Sequence, residues 1–179
     1  ELRSDKKKSF KTKLRCKIIL YKCILWILKV YFYYNCLKFR KYMREEYFKW
    51  YSPNLSRDIE MLVFGHAGYP VILFPTSMGS FYENRDQGLI GSAHWFIEQG
   101  LVQIFCPDSV DKDSFYNKKI HPVHRIRNHM WYDKMICHEI VERVKNNTGA
   151  GKVAVAGCSF GGYHAANFAF RHPGYVSHM

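Results

Sequence analysis

Residues 153–161 read Val-Ala-Val-Ala-Gly-Cys-Ser-Phe-Gly, and they give the strongest indication of the fold in this sequence. A short apolar run, typical of a buried strand, leads into a Gly-x-Ser-x-Gly pattern, and a helical segment follows at 163–171. In a turn of this kind the serine sits on a strained strand-to-helix bend, and the two glycines permit the close approach of the backbones. The pattern predicts a nucleophile elbow with Ser159 as the nucleophile. A glycine-rich turn with an incidental serine is the alternative, because only three positions of the pentapeptide are fixed.

The chain before the elbow alternates between strand and helix patterns. Two β-like runs, joined by a turn-prone Ser-Pro-Asn, come first, and the series then runs strand, helix, strand, helix, strand. This order predicts an α/β fold with a mostly parallel sheet and helices on both faces. The strand-like runs are 47–51, 58–64, 70–74, 101–106 and 152–156, and the helical patterns are 89–99 and 124–145. The apolar stripe of the longer helix contains Ile126, Met130, Met135, Ile136, Ile140, Val141 and Val144.

Most of the net charge of +12 lies at the beginning of the chain. Residues 1–42 contain 13 Lys and Arg against 2 acidic residues, whereas residues 43–179 contain 14 against 13. The domain of residues 43–179 is therefore nearly neutral, and the sequence predicts no nucleic-acid partner for it.

Residues 1–42 form a basic extension with two competing interpretations. Normal domain composition begins at Met43, which favours a true start there and an extension outside the natural domain. Alternatively, cations recurring every seven residues from Lys8 to Lys29 predict a helix on a membrane surface. Lys22 and Lys29 interrupt the apolar stretch and disfavour a transmembrane helix. The six cysteines show no disulfide or metal spacing, so we expect reduced thiols and a cytoplasmic location, or a peripheral membrane location if the extension is genuine.

The elbow also predicts the groups around it. The backbone N–H of Phe160 is the expected first oxyanion donor, and the loop after the earlier strand should supply the second from Ser77 or Met78. We interpret Cys158, one position away from the central residue, as a packing residue. The aromatic residues Phe81, Tyr82, Phe115, Tyr116 and Trp131 are either walls of an acyl pocket or core.

Two further groups of polar residues have weaker functional interpretations. The acidic residues Asp108, Asp111 and Asp113 follow a strand end and form either a substrate contact, for which Asp108 is the candidate, or a solvated loop. The histidines at 121, 124, 129 and 138 lack a carboxylate or cysteine that would complete a zinc site, and Pro122 places His121 outside the helix. The sequence predicts neither a metal nor a cofactor.

The segments 58–68, 74–79, 108–111 and 157–165 together resemble bacterial esterases of the esterase D-like group, which includes S-formylglutathione hydrolases, within the α/β-hydrolase superfamily. The resemblance covers about residues 43–179. It implies an ester hydrolase acting on a small-molecule acyl ester, or a thioester, through a Ser-His-Asp triad. Ser159 is the one triad member that can be assigned.

The order of the triad in this family is serine, acid, histidine, with both partners after later strands. Only 20 residues follow Ser159, so we expect the acid, the histidine and the last strands to lie beyond residue 179. His172, at a helix exit, and His178, where the next strand should begin, are poor candidates for the base. We therefore expect the chain as given to be inactive. An acyltransferase of the same fold and a non-catalytic binding module are the alternative functions.

Overall fold

The computed structural model describes residues 43–179, and the predictions for residues 1–42 lie outside the described residues. A sheet of six strands forms the centre of this part. The strands are β1 (Glu45–Ser52), β2 (Arg57–Phe64), β3 (Tyr69–Phe74), β4 (Val102–Pro107), β5 (Val153–Gly157) and β6 (Val176–His178). All five strand runs expected from the sequence are present, and β6 begins just before His178, where the next strand was expected.

The strand order in the sheet is β1-β2-β4-β3-β5-β6. β1 and β2 form an antiparallel hairpin, and β2 is also antiparallel to β4. The remaining neighbours, β4 with β3, β3 with β5, and β5 with β6, are parallel. The predicted mostly parallel sheet is therefore confirmed, with the antiparallel hairpin at one edge.

The helices lie between and after the parallel strands. They are α1 (Glu83–Asp86), α2 (Leu89–Ser92), α3 (His94–Glu98), α4 (Pro122–Met135), α5 (Glu142–Thr148) and α6 (Phe160–Arg171), with a π-helical segment, Ile136–Val141, joining α4 to α5. The prediction of one helix over 89–99 is wrong, because the chain breaks at Ala93 into α2 and α3. Gly91 and Ser92 are weak helix formers directly before the break.

Side chains from the two faces of the sheet enter two separate cores. Along β2, Ile59, Met61 and Val63 face the core covered by α4, α5 and α6. Leu62 and Phe64, at alternate positions of the same strand, face the core covered by α2 and α3. Alternation with a period of two is the pattern of a strand whose two faces are both covered. Helices on both faces are therefore confirmed.

The buried stripe of α4 differs from the predicted one. Ile126 and Met130 are 52% and 43% exposed. His129, Tyr132 and Asp133 are buried in their place. The prediction counted apolar residues alone, whereas two of these polar side chains each have one partner in or just after α6: Asn167 lies 3.3 Å from His129 Nε2, and His172 Nε2 lies 2.9 Å from Asp133 Oδ2.

Among the helices of residues 43–179, none combines the length and the apolar character needed to cross a membrane.

Candidate active site

Ser159 stands between the end of β5 and the first residue of α6, and its side chain is exposed. Its backbone has φ 55° and ψ −122°, a conformation that residues with a side chain rarely adopt. The hydroxyl makes no capping hydrogen bond to α6. The serine is therefore held in a strained, exposed position, and its oxygen is not used to stabilise the helix.

The glycines of the Ser159 turn, residues 157–161, are required by close backbone contacts. A Cβ atom on Gly161 would lie 2.5 Å from the carbonyl oxygen of Pro75, and a Cβ on Gly157 would lie 2.3 Å from the carbonyl carbon of Gly161. Neither distance is compatible with a side chain. The turn therefore lies directly against the end of β3 and the beginning of the loop that follows it.

This second element, the 75–82 loop, contains another strained residue. The N–H of Gly79 donates to the carbonyl oxygen of Thr76 at 3.0 Å, which closes a four-residue turn. Met78 occupies the third position of the turn with φ 56°. A positive φ there is the requirement of a type II turn, which normally selects Gly or Asn. The loop is thus held in a conformation that its own sequence does not favour.

The loop after β4, residues 108–116, holds the 75–82 loop through four hydrogen bonds. Two use backbone amides as donors and two use hydroxyl groups. They are Met78 N–H to Asp111 Oδ2 (3.0 Å), Phe81 N–H to Asp108 Oδ1 (3.3 Å), Ser109 Oγ–H to Gly79 O (2.8 Å) and Tyr116 O–H to Ser77 Oγ (2.8 Å). The polar residues after β4 therefore brace the neighbouring loop.

Asp111 also contacts α6, through His164. The distance from His164 Nε2 to Asp111 Oδ1 is 2.8 Å, and both side chains are buried, at 2% and 0% exposure. The interpretation of a solvated acidic loop is wrong for Asp111, because each carboxyl oxygen has a partner inside the protein. The interpretation of a solvated loop does hold for Asp113, which is exposed and pairs with Arg57.

Asp108, the third acidic residue of this loop, is partly removed from solvent. Burial raises the pKa of its carboxyl group from the usual value.

Aromatic rings surround the first turn of α6. The ring of Phe160 stacks on Tyr163 at 5.0 Å between centroids and meets Phe115 and Tyr116 edge-on at 5.7 and 5.4 Å. Tyr116 thus contacts both the Ser159 turn and, through its hydroxyl, Ser77. The structure therefore brings Ser159, Phe160, Ser77 and Tyr116 together.

The other predicted pocket residues lie elsewhere or on the edge of this group. Phe81 packs edge-on against Tyr82 at 5.1 Å, and its second ring contact is with Tyr47 of β1 at 5.8 Å. Trp131 carries the guanidinium of Arg127 over its ring at 5.0 Å. The packing role expected for Cys158 is wrong, because this thiol is exposed. Next to the nucleophile position, an outward-facing residue cannot fill the core.

The histidines considered for a metal site have other roles or are dispersed. His121 precedes α4, as Pro122 indicated, and its Nδ1 accepts a hydrogen bond from Val123 N–H at 3.3 Å. Burial lowers the pKa of His129 to about 4. Within residues 43–179, no three His, Cys, Asp or Glu side chains are grouped so that they could hold a metal ion.

Solved structures share this arrangement of strands and helices. A ferulic acid esterase from the anaerobic fungus Anaeromyces mucronatus matches with a TM-score of 0.58 and 13% identity over 76% of this chain and 57% of its own. The described residues have the α/β-hydrolase fold.

Two bacterial proteins give similar values. The fluorophosphonate-binding serine hydrolase F of Staphylococcus aureus matches with a TM-score of 0.56 and 16% identity over 75% of this chain and 54% of its own. An S-formylglutathione hydrolase from Agrobacterium tumefaciens matches with a TM-score of 0.54 and 15% identity over 76% and 56%. These likenesses confirm, at the level of the fold, the resemblance found in the sequence.

The chain spans a little over half the length of each of these three proteins. No protein-family model matches the chain, and no curated protein sequence matches it.

Proposed function

We propose that this chain belongs to a serine hydrolase that cleaves carboxylic esters, or thioesters, through an acyl-enzyme on Ser159. One observation carries the proposal: Ser159 is exposed with φ 55° at the junction of β5 and α6, and its hydroxyl caps nothing. Strain of this kind is maintained where it serves a function, and a strand-to-helix serine in this conformation is a nucleophile elbow.

The reaction begins with attack of Ser159 Oγ on the carbonyl carbon of the ester. A general base takes the hydroxyl proton and passes it to the departing alcohol as the acyl–oxygen bond breaks. Water then adds to the acyl-enzyme, with its proton taken by the same base, and the acid is released as the serine oxygen regains a proton. The reaction is a net hydrolysis and needs no further reactant.

Two backbone amides are proposed as the oxyanion donors. The N–H of Phe160 belongs to the first turn of α6, where amides have no partner within the helix, and the positive end of the helix dipole lies there. Of the two candidates in the 75–82 loop, we propose Ser77, because the Met78 amide already donates to Asp111. Ser77 is also the residue joined through Tyr116 to the aromatic group around Phe160.

The base and its acid are proposed to come from natural sequence after residue 179. His164 Nε2 faces Asp111 and the ring is buried, which leaves it poorly placed to take a proton from an exposed serine. His172 follows the opposite end of the 12-residue α6, roughly 18 Å from Ser159 along the helix axis. We therefore expect the polypeptide of residues 1–179 alone to be inactive, since a serine hydroxyl without a base is a poor nucleophile.

The acyl group of a small-molecule substrate is proposed to lie beside the half-buried Phe160 and the exposed Tyr116, whose rings meet edge-on next to Ser159. Phe81, Tyr82 and Asp108 stay predictions for the rest of the pocket.

The test is covalent labelling of the full natural protein with a fluorophosphonate, which reacts with activated serines. We expect labelling of the wild type and of Cys158→Ala, in which the adjacent exposed nucleophile is removed. Ser159→Ala should not be labelled. Equal labelling of wild type and Ser159→Ala would contradict the proposal. If only Ser159 is labelled, comparing the rates of hydrolysis of p-nitrophenyl esters and of thioesters separates the two substrate classes.

A further inference from the structure

We infer that Asp111 is a positioning residue, which fixes the 75–82 loop against the Ser159 turn so that the second oxyanion donor is held in place. The inference rests on the proposed function. Asp111 does not touch the substrate in this proposal and acts through the 75–82 loop.

The geometry of Asp111 is that of a bridge between two elements. Oδ2 accepts the amide of Met78 at 3.0 Å, and Oδ1 lies 2.8 Å from His164 Nε2, in the second turn of α6. One side chain therefore joins the loop after β3 to the helix that begins at the nucleophile.

Because Asp111 is buried, its two hydrogen bonds hold the loop and the helix at one separation. The side chain is completely buried, and a buried carboxyl group without hydrogen bonds is costly. Its own segment is also fixed, because the carbonyl oxygen of Asp111 accepts the amide of Tyr116 at 3.1 Å. The carboxyl group therefore keeps its two partners only while the loop and the helix stay at this separation.

The backbone of Met78 shows what the bridge maintains. A methionine at φ 56° is strained, and such a residue persists only when its surroundings determine its conformation. The Met78–Asp111 hydrogen bond acts on the strained residue itself. Loss of this bond would let the turn relax, and the amide of Ser77, one residue earlier in the same turn, would change direction.

The experiment measures the rate constant of covalent labelling, kinact, and the reversible binding constant, KI, of a fluorophosphonate on the full natural protein. Asp111→Ala should lower kinact about 100-fold, the order expected for loss of one oxyanion donor, with KI within twofold. Asp111→Asn should lower kinact only about 10-fold, because the amide oxygen can still accept from Met78 while the amide nitrogen donates to His164. Asp113→Ala, an exposed acid in the same loop, is the matched control and should change neither constant.

A merely structural role would reduce the fraction of protein that can be labelled and leave the rate constant of the folded fraction unchanged. Unchanged kinact in Asp111→Ala overturns the inference while the proposed function stands. If Asp111→Ala does not fold, unchanged kinact in Asp111→Asn has the same meaning. Failure of the wild type to be labelled at Ser159 overturns the proposed function, and the positioning role with it.

Discussion

Helix α6 carries a histidine–aspartate pair at each end, and the two pairs differ in what the carboxyl group does next. Near the first turn, His164 pairs with Asp111 at 2.8 Å. Just after the last turn, His172 pairs with Asp133 at 2.9 Å. Distance and chemistry are nearly the same, so the pairs alone do not reveal their roles.

The difference lies in the second carboxyl oxygen. Asp111 Oδ2 accepts the amide of Met78, whereas Asp133 Oδ1 is buried without a hydrogen-bond partner among the described residues. The guanidinium of Arg171 lies 3.5 Å from the other oxygen, Oδ2, which also faces His172. The first pair therefore continues into a loop beside Ser159, and the second ends by tying α6 to α4. Only the His164–Asp111 pair is therefore connected to the candidate active site, because only its carboxyl group binds the 75–82 loop.

The largest effect should come from adding one methyl group at the first end of α6. In Gly161→Ala the new Cβ would lie 2.5 Å from the Pro75 carbonyl oxygen, so the turn or the loop must move. We expect the free energy of unfolding to fall by about 3 kcal/mol and Ser159 labelling to slow more than about 100-fold. Urea denaturation and labelling kinetics measure the two effects.

Gly174→Ala, beyond the last turn of α6, is the matched control. A Cβ there meets nothing within 4 Å, and both quantities should stay close to wild type, with the unfolding free energy within about 0.5 kcal/mol. Similar losses in the two variants would show that the ends of α6 are not distinct in the way described.

A matched pair of ring substitutions separates the two histidines. His164→Phe and His172→Phe each keep an aromatic ring and remove the hydrogen bond to the aspartate. Both should lower the unfolding free energy, by about 1–3 kcal/mol, because a carboxyl oxygen of a buried aspartate loses its hydrogen bond to the histidine. Labelling of Ser159 should slow about 10-fold in His164→Phe alone. Equal labelling rates in these two variants would remove the distinction between the pairs.

The smallest effect concerns the pH dependence of stability near the first pair, where the ring of His129 lies 5.4 Å from the ring of His164. Burial is the main cause that lowers the pKa of His129 to about 4, below the 6.5 of an exposed histidine, and the nearby His164 lowers it further. Between these values the unfolded chain binds a proton that the folded protein does not. Stability should therefore be lost as the pH falls from about 6.5 to 4, and no further loss from this group is expected below.

Thermal unfolding of His129→Phe across this pH range measures the contribution. The slope of melting temperature against pH should be smaller than in wild type, whereas His124→Gln, an exposed histidine of the same helix, should keep the wild-type slope. A wild-type slope in His129→Phe would refute the assignment.

Much of the fold was predictable because strands and the Ser159 turn leave local signals. Alternating and continuous apolar runs give the strands, and Gly157 and Gly161 satisfy contacts that only a residue without a side chain permits. The prediction of Ser159 as the nucleophile rests on the same pattern. The break at Ala93 was not predicted, because the apolar pattern gave no weight to the weak helix formers Gly91 and Ser92 directly before it. The buried polar stripe of α4 was not predicted either, because it depends on contacts with residues 38 and 39 positions away.

The pairing of Asp111 with His164 was missed because it is a long-range contact. They lie 53 residues apart, and nothing in the sequence relates one to the other. The nearest available signal was position: His164 lies on the same buried side of α6 as Ala165 and Phe168, and a polar residue there needs a buried partner. Which aspartate of three supplies that partner is decided by the path of the loop after β4.

Glu139, in the π-helical segment, receives hydrogen bonds from the β1–β2 hairpin. Its two carboxyl oxygens accept Trp50 Nε1–H and Ser52 Oγ–H, each at 2.7 Å, across 89 and 87 residues of chain. In terms of folding order, the hairpin can close from its own residues alone. Its docking onto Glu139 is a non-local step, which requires that the chain has been synthesised through the π-helical segment. By then four of the six strands, β1 to β4, have also been synthesised.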